Sequence, residues 1–372
     1  MKTFKNIFTL LFVLAIIACK KKKETEVCST IEFDRQEMVS HLTSQYIIPA
    51  YEAYDNSLAT MQNAIDIFLQ EPSIAGLNQS RAAWLQAAAF WQNVAFLEFG
   101  PAENIGFRGQ TNIYPIDTNQ IIANKAEGAY NLEIPANYKA KGLQAVDYLL
   151  NLPQETDSSI ISYYTDSVPN IIYLKEIITD LRANAQKVAE GWTSTSESFI
   201  KNTADNAQGS AVSNMVNALS AHYETFVRKG KVGLPVGIFN GFTQTPMPGH
   251  VEALYSSESL FLLKKQMQSI QNFINGKGFT THIEGMGLNN YMDFVNAKKG
   301  TQNLSQAINS QIDLILSEIE NINTEPLSKA VINQPVACMA LYQSMQKLVP
   351  MIKVDLTSAL GVLITYQDND GD

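Results

Sequence analysis

Apolar side chains recur at helical spacing along most of this 372-residue chain. Leu304, Ile308, Ile312, Ile315 and Ile319 illustrate the pattern, which places them all on one face of a helix. No stretch sustains the apolar–polar alternation of a half-buried strand. The predicted helices cover 37–69, 81–101, 168–188, 199–227, 259–274, 304–322 and 327–349, with another that begins near Tyr138. The sequence therefore predicts an all-α fold.

A Ser/Thr-rich segment, GWTSTSES (191–198), separates two sets of predicted helices of similar size. Four long helices on each side are enough to bury two separate cores. We therefore predict an N-terminal helical bundle at 34–192 and a C-terminal bundle at 193–372, packed together. Within the second, residues 231–255 are rich in Gly and Pro and predict a long ordered loop.

The first 18 residues have the features of a lipoprotein signal peptide. Lys2 and Lys5 precede an apolar run that is too short to span a bilayer. The run ends in Ile-Ile-Ala-Cys, which resembles the bacterial lipobox that is cleaved before a lipidated cysteine, here Cys19. The alternative is an ordinary signal peptide with an incidental cysteine. A lysine-rich tether over 19–33 predicts attachment to a membrane through the lipid anchor. Lys20 after the cysteine favours the outer membrane.

The charge balance argues against nucleic acid as a partner. The net charge of the chain is −9, and loss of Lys2 and Lys5 with the signal takes it to about −11. No basic run occurs beyond the tether. If Cys19 is lipidated, Cys28 and Cys338 remain, either as one disulfide or as two separate thiols.

One carboxylate is predicted to end an aromatic helix face. Trp84, Trp91 and Glu98 are spaced by seven residues and share one stripe. A buried carboxylate needs a donor or a metal. Glu98 is therefore predicted either to cap a neighbouring loop or pair with Arg108, or to be a site carboxylate at the interface between the bundles.

Familiar catalytic and metal motifs are missing from the sequence. The four histidines lack the spacing of a zinc protease, and no thiolate metal motif, nucleophile elbow or phosphate loop occurs. The segment DNDGD (368–372) matches only the first half of a calcium loop. The histidines are His41, His222, His250 and His282.

The segment KGLQAVDYLL (141–150) predicts an amphipathic helix with an unusual polar stripe. Gln144, Asp147 and Asn151 share one face, and Gly142 leaves room for a close neighbour. Together with RAAWLQAAAFWQ…LEFGP, YPID, GKVGLPVG and GVLITYQDNDGD, in this order, the segment resembles the imelysin-like family of bacterial secreted and lipid-anchored proteins. The resemblance implies an all-helical fold of two halves, a site where they meet, and an association with iron uptake.

The family's G-x-H-x-x-E signature is altered at both of its chemical positions. Gly142 matches, whereas Gln144 stands in place of the histidine and Asp147 in place of the glutamate. A neutral amide neither binds a transition metal nor shuttles protons well. If iron or another metal is the cofactor, a ferric ion favours oxygen ligands such as Asp147 and Glu98.

Three functions are compatible with the resemblance. The first is a non-enzymatic envelope lipoprotein that binds a ligand connected with iron uptake, at Gly142, Gln144 and Asp147 and additionally at Glu98 and Arg108. The second is an imelysin-type metallopeptidase, which the missing histidine disfavours. The third is a protein that has lost its ligand and holds an iron-uptake receptor or another envelope partner.

Overall fold

The computed structural model describes residues 32–322 and 325–367, and helices dominate these ranges. The predicted signal peptide, Cys19, Cys28, most of the tether and the DNDGD segment lie outside them. Of the described helices, none is long and apolar enough to cross a membrane. Cys338 is buried and forms no disulfide within the described ranges.

The N-terminal part of the chain contains nine α-helices, counted over the described residues up to Lys201. They are α1 (Arg35–Leu42), α2 (Ile48–Gln70), α3 (Ile74–Val94), α4 (Pro101–Ile105), α5 (Phe107–Thr111), α6 (Thr118–Glu127), α7 (Gly142–Leu150), α8 (Asp157–Thr165) and α9 (Val168–Lys201). A π-helical turn, Thr43–Ile47, joins α1 to α2, and a 3₁₀ helix, Pro135–Ala140, precedes α7. Helices α2, α3, α7 and α9 pack on one another as one bundle.

The C-terminal part builds a second group of helices and one short hairpin. Its elements are α10 (Ala211–Ala221), a π-helix (His222–Gly233), 3₁₀ turns (Gly241–Thr243 and Pro248–His250), α11 (Ser259–Ile274), α12 (Leu288–Phe294), β1 (Lys298–Lys299), β2 (Gln302–Asn303), α13 (Leu304–Asn321), α14 (Leu327–Asn333), α15 (Pro335–Pro350), a π-helix (Met351–Leu356) and α16 (Thr357–Leu360). Strands β1 and β2 pair antiparallel. Helix α15 packs on α13 and on the His222–Gly233 π-helix, and α11 packs on α13.

The two helical groups meet along α3 and α11, within one compact unit that starts at Asp34. The all-α prediction is confirmed. Large aromatic side chains fill the core of the first group, and Trp84 also donates its indole N–H to the carbonyl of Leu143 at 2.8 Å. This bond joins α3 to the start of α7 and thereby positions the helix that carries Gln144 and Asp147.

The predicted linker at 191–198 is wrong, because these residues lie inside α9. Their hydroxyls bond back to the preceding turn: Thr193 to the carbonyl of Ala189 at 3.3 Å and Thr195 to that of Gly191 at 2.8 Å. Trp192 is buried and holds this part of α9 against the core. The predicted loop at 231–255 also begins later than expected, since the π-helix continues to Gly233.

Candidate functional site

Helix α7 begins at Gly142, and only a glycine fits there. Gly142 has a φ of +78°, and a Cβ atom at this position would lie 2.3 Å from the carbonyl oxygen of Thr111. The preceding Lys141 is buried and pairs with Asp180 at 2.8 Å. The close approach of α7 to the end of α5 therefore depends on the absence of a side chain at Gly142.

Gln144 joins two distant segments through both ends of its amide. Its Nε2 donates to Oδ1 of Asn112 at 2.8 Å, and its Oε1 accepts from the backbone N–H of Ala253 at 2.7 Å. The side chain is almost fully buried. The Gln144 amide therefore connects the end of α5 to the loop before α11, since it supplies one donor and one acceptor in fixed directions.

Asp147 accepts a hydrogen bond from the same loop, at Tyr255, two residues after the Ala253 that donates to Gln144. One of its oxygens accepts from the backbone N–H of Tyr255 and the other from the amide of Asn151, both at 3.1 Å. Burial raises the pKa of the Asp147 carboxyl to about 7, although the hydrogen bonds from Tyr255 and Asn151 oppose the shift. Gln144 and Asp147 together tie residues 253–255 to α7.

The raised pKa of Asp147 predicts a loss of stability as pH increases. An unfolded aspartate has a pKa of about 3.9, so between pH 4 and 7 the folded state holds a proton that the unfolded state releases. The free energy of unfolding should therefore fall by roughly 3–4 kcal/mol between pH 4 and 8, of which about 2–3 kcal/mol lies between pH 5 and 8, and level off above pH 8. Urea denaturation at pH 5 and pH 8 measures the difference. The Asp147→Asn variant should lose this dependence and be the more stable protein at pH 8.

An exposed carboxylate supplies the control for this prediction. Asp313 lies on the solvent side of α13, so the Asp313→Asn variant should keep the pH dependence of the parent protein. An Asp147→Asn variant whose stability still falls between pH 5 and pH 8 by the parent's amount would show that other groups cause the change.

A buried ion pair lies next to the signature helix, and the sequence analysis did not identify it. Lys231, at the end of the π-helix, pairs with Glu252, and both side chains are at most 5% exposed. Gln92 and Asn112 donate to Glu252 at 3.1 and 2.7 Å, and Gln92 accepts from Lys231 at 2.9 Å. Asn112 is also the partner of Gln144. Gln144 is therefore one part of a polar network that crosses the interface between the helical groups.

The Glu98 carboxylate forms hydrogen bonds with the backbone of Arg108. Both carboxylate oxygens of Glu98 accept from the backbone N–H of Arg108, at 3.1 and 3.2 Å, which caps the first turn of α5. The guanidinium of Arg108 donates to the carbonyl of Ala95 and lies 4.2 Å from the ring centroid of Phe226. Burial raises the pKa of Glu98 and lowers that of Arg108, while each opposes the shift of the other.

A cleft of about 550 Å³ opens between the two helical groups at this point. Its walls carry three aromatic rings, the Glu98 and Arg108 side chains, and three glycines. The lining residues are Glu98, Gly106, Arg108, Gly109, Asn112, Ile113, Tyr114, Tyr138, Thr225, Phe226, Lys229, Gly230 and Leu234. This volume lies in the range of small-molecule sites. Gln144 reaches the cleft only through its hydrogen bond to Asn112.

The side chains around the cleft do not fit a metal ion held by the protein. Within residues 32–322 and 325–367, no three or more His, Cys, Asp or Glu side chains are grouped to hold one. Of the two carboxylates predicted as oxygen ligands, Glu98 lines the cleft and Asp147 does not. A single carboxylate leaves most of the coordination sphere of a ferric ion unfilled.

Comparison with known proteins agrees with the all-α fold and the family resemblance. The imelysin family profile matches residues 47–350. The iron-regulated protein A of Synechococcus elongatus is 26% identical over 159 residues, which are 43% of this chain and 41% of that protein. The match therefore spans about two fifths of that relative's length.

Two solved structures are similar to most of this chain. One is described as an iron-regulated protein A precursor from Parabacteroides distasonis, with a TM-score of 0.72 and 19% identity over 90% of this chain and 97% of that chain. The other is an imelysin-like protein from Psychrobacter arcticus, with a TM-score of 0.69 and 16% identity over 91% of this chain and 99% of that chain. At these identities the likeness establishes the fold alone.

Proposed function

Because this chain belongs to the imelysin family, we propose that it is a non-enzymatic binding protein of the cell envelope connected with iron uptake. Its ligand site is the cleft between the two helical groups. The relative from Synechococcus elongatus carries the name iron-regulated protein A, which supports the connection with iron.

The composition of the cleft is the observation that carries this proposal. Its walls are mainly apolar and aromatic, and Arg108 adds a cation stacked on Phe226. A mainly apolar cleft with a few polar groups is the usual form of a small-molecule site. Since the part of the chain that the structure describes contains no group of His, Cys, Asp or Glu side chains that could hold a metal ion, we propose that iron is bound as part of an organic complex.

The proposed location rests on the N-terminal sequence. The apolar run that ends at Cys19 and the lysines after it support a lipid-anchored protein of the outer membrane. Mass spectrometry of the protein from its native envelope tests this proposal, because lipidation adds the mass of the acyl chains to a peptide that begins at Cys19. A native protein that begins elsewhere or carries no acyl mass would contradict it.

Calorimetry with haem, ferric citrate and divalent metal ions tests the proposed ligand site. We expect a complexed form of iron to bind and free divalent ions to bind weakly. The Gly109→Leu variant should abolish binding, because Gly109 lines the cleft and a Cβ atom there meets only the Tyr138 ring at 3.9 Å. A leucine is therefore tolerated and fills the cleft.

Gly249 provides the matched control, since a Cβ atom there meets nothing within 4 Å and the residue does not line the cleft. The Gly249→Leu variant should bind like the parent protein. Absence of binding at millimolar concentrations, or binding that Gly109→Leu leaves unchanged, would contradict the proposed site. Chelator-sensitive cleavage of an unfolded protein would instead support a metallopeptidase.

A further inference from the structure

A second, much smaller cavity lies beside the cleft. Its volume is about 20 Å³, which is enough for one water-sized group. It shares Arg108, Asn112, Tyr114 and Phe226 with the cleft, so the two spaces are neighbours across these side chains. His222 also lines this inner cavity.

The hydrogen bonds around His222 determine which ring nitrogen carries the proton. Gln266 donates its Nε2 to the backbone carbonyl of Gln92 at 3.0 Å, which leaves its Oε1 facing Nε2 of His222 at 3.1 Å. An amide oxygen only accepts, so Nε2 of His222 must donate and carries a proton. In the neutral ring, Nδ1 is then an unprotonated acceptor.

The surroundings of His222 keep the ring neutral. Burial lowers its pKa well below the ordinary value, and the positive charges of Arg108 and Lys231 lower it further. Nδ1 is buried, and no group in residues 32–322 and 325–367 forms a hydrogen bond with it. A buried acceptor without a donor is rare in folded proteins and points to a group that binds there.

The neighbouring charges and rings restrict the chemistry of that group. Arg108 and Lys231 both line the inner cavity and disfavour a cationic donor such as an ammonium group. A neutral hydroxyl matches both the acceptor and the volume. The adjoining cleft is lined by the rings of Tyr114, Tyr138 and Phe226, which favour a ligand with an aromatic ring.

We propose that the cleft binds a hydroxy-aromatic acid whose phenolic hydroxyl enters the inner cavity and donates to Nδ1 of His222. The ring lies among the aromatic side chains of the cleft, and the acid group is attracted by Arg108. This inference rests on the proposed ligand site and specifies the class of compound that the site accepts.

Calorimetry on the full chain with 2,3-dihydroxybenzoate and with 2,3-dimethoxybenzoate tests the inference without any variant. Methylation removes the donor and keeps the ring and the acid, so the dimethoxy compound should bind about tenfold more weakly or worse. Equal affinities for the two free acids would overturn the inference.

The His222→Gln variant removes the Nδ1 acceptor and keeps a donor near Nε2. It should weaken binding of the dihydroxy compound about tenfold and leave the dimethoxy compound unaffected. His282→Gln, an exposed position, should change neither affinity. A His222→Gln variant that weakens both compounds equally would indicate a structural role and overturn the inference.

The ¹⁵N resonances of labelled histidine provide a direct readout of the acceptor. Nδ1 of His222 should resonate as an unprotonated nitrogen and shift on addition of 2,3-dihydroxybenzoate, and an unchanged signal at saturation would overturn the inference. If haem or ferric citrate binds with the same affinity to His222→Gln while neither benzoate binds, the inference fails and the proposed function stands. If no compound binds, both fail.

Discussion

Replacing Lys231 by methionine is expected to lower the free energy of unfolding by about 3–5 kcal/mol, because it leaves the charge of Glu252 buried without its partner. Both side chains are at most 5% exposed, so water cannot replace the lost ammonium group. Gln92 and Asn112 would still donate to Glu252, but neither carries a compensating charge. Chemical denaturation at neutral pH measures the loss.

The double variant Lys231→Met/Glu252→Gln separates the lost charge partner from lost packing. It should recover part of the stability, since no unpaired charge remains in the interface. The exposed pair of Lys264 and Glu320, 40% and 64% exposed, provides the control. Lys264→Met should cost less than about 1 kcal/mol. A Lys231→Met variant that loses no more than Lys264→Met would contradict the importance of the buried pair.

The Gly142→Ala variant is expected to lose about 3–5 kcal/mol of unfolding free energy, because the added methyl combines a strained backbone with a steric clash. The φ of +78° disfavours any L side chain, and the Cβ atom would lie 2.3 Å from the carbonyl oxygen of Thr111. A backbone carbonyl cannot turn away as a flexible side chain would. The start of α7 must therefore move, and the loss is measured by chemical denaturation.

Gly128 isolates the contribution of backbone strain. It also has a positive φ, +66°, but a Cβ atom there meets nothing within 4 Å. Gly128→Ala should therefore cost only about 1–2 kcal/mol, which is the penalty for the left-handed conformation. Equal losses for the two variants would show that the contact with Thr111 is unimportant.

The helix at Gly142–Leu150 was predictable from the sequence, but the surroundings of its polar stripe were not. Helical periodicity places Gln144 and Asp147 on one face. In the structure both side chains are buried. Their hydrogen-bond donors include the backbone N–H groups of Ala253 and Tyr255, which lie more than a hundred residues away in the sequence. No local pattern indicates which distant segment supplies these donors.

The linker at 191–198 illustrates how composition alone misleads. Ser and Thr are typical of loops because their hydroxyls compete for backbone hydrogen bonds. In α9, however, Thr193 and Thr195 bond to carbonyls of their own helix, and buried Trp192 anchors the segment. Tertiary packing thus outweighed the local preference.

The sequence by itself determined the helical class and the family, because apolar periodicity and short motifs are properties of neighbouring residues. Only the tertiary structure decided that Lys231 pairs with Glu252 and that Glu98 caps the helix of Arg108. It also decided that His222 lines a cavity and that its Nδ1 is buried without a partner among the described residues. Each of these features depends on groups that come from different helices. Their proximity is set by how the helices pack, which no spacing along the chain records.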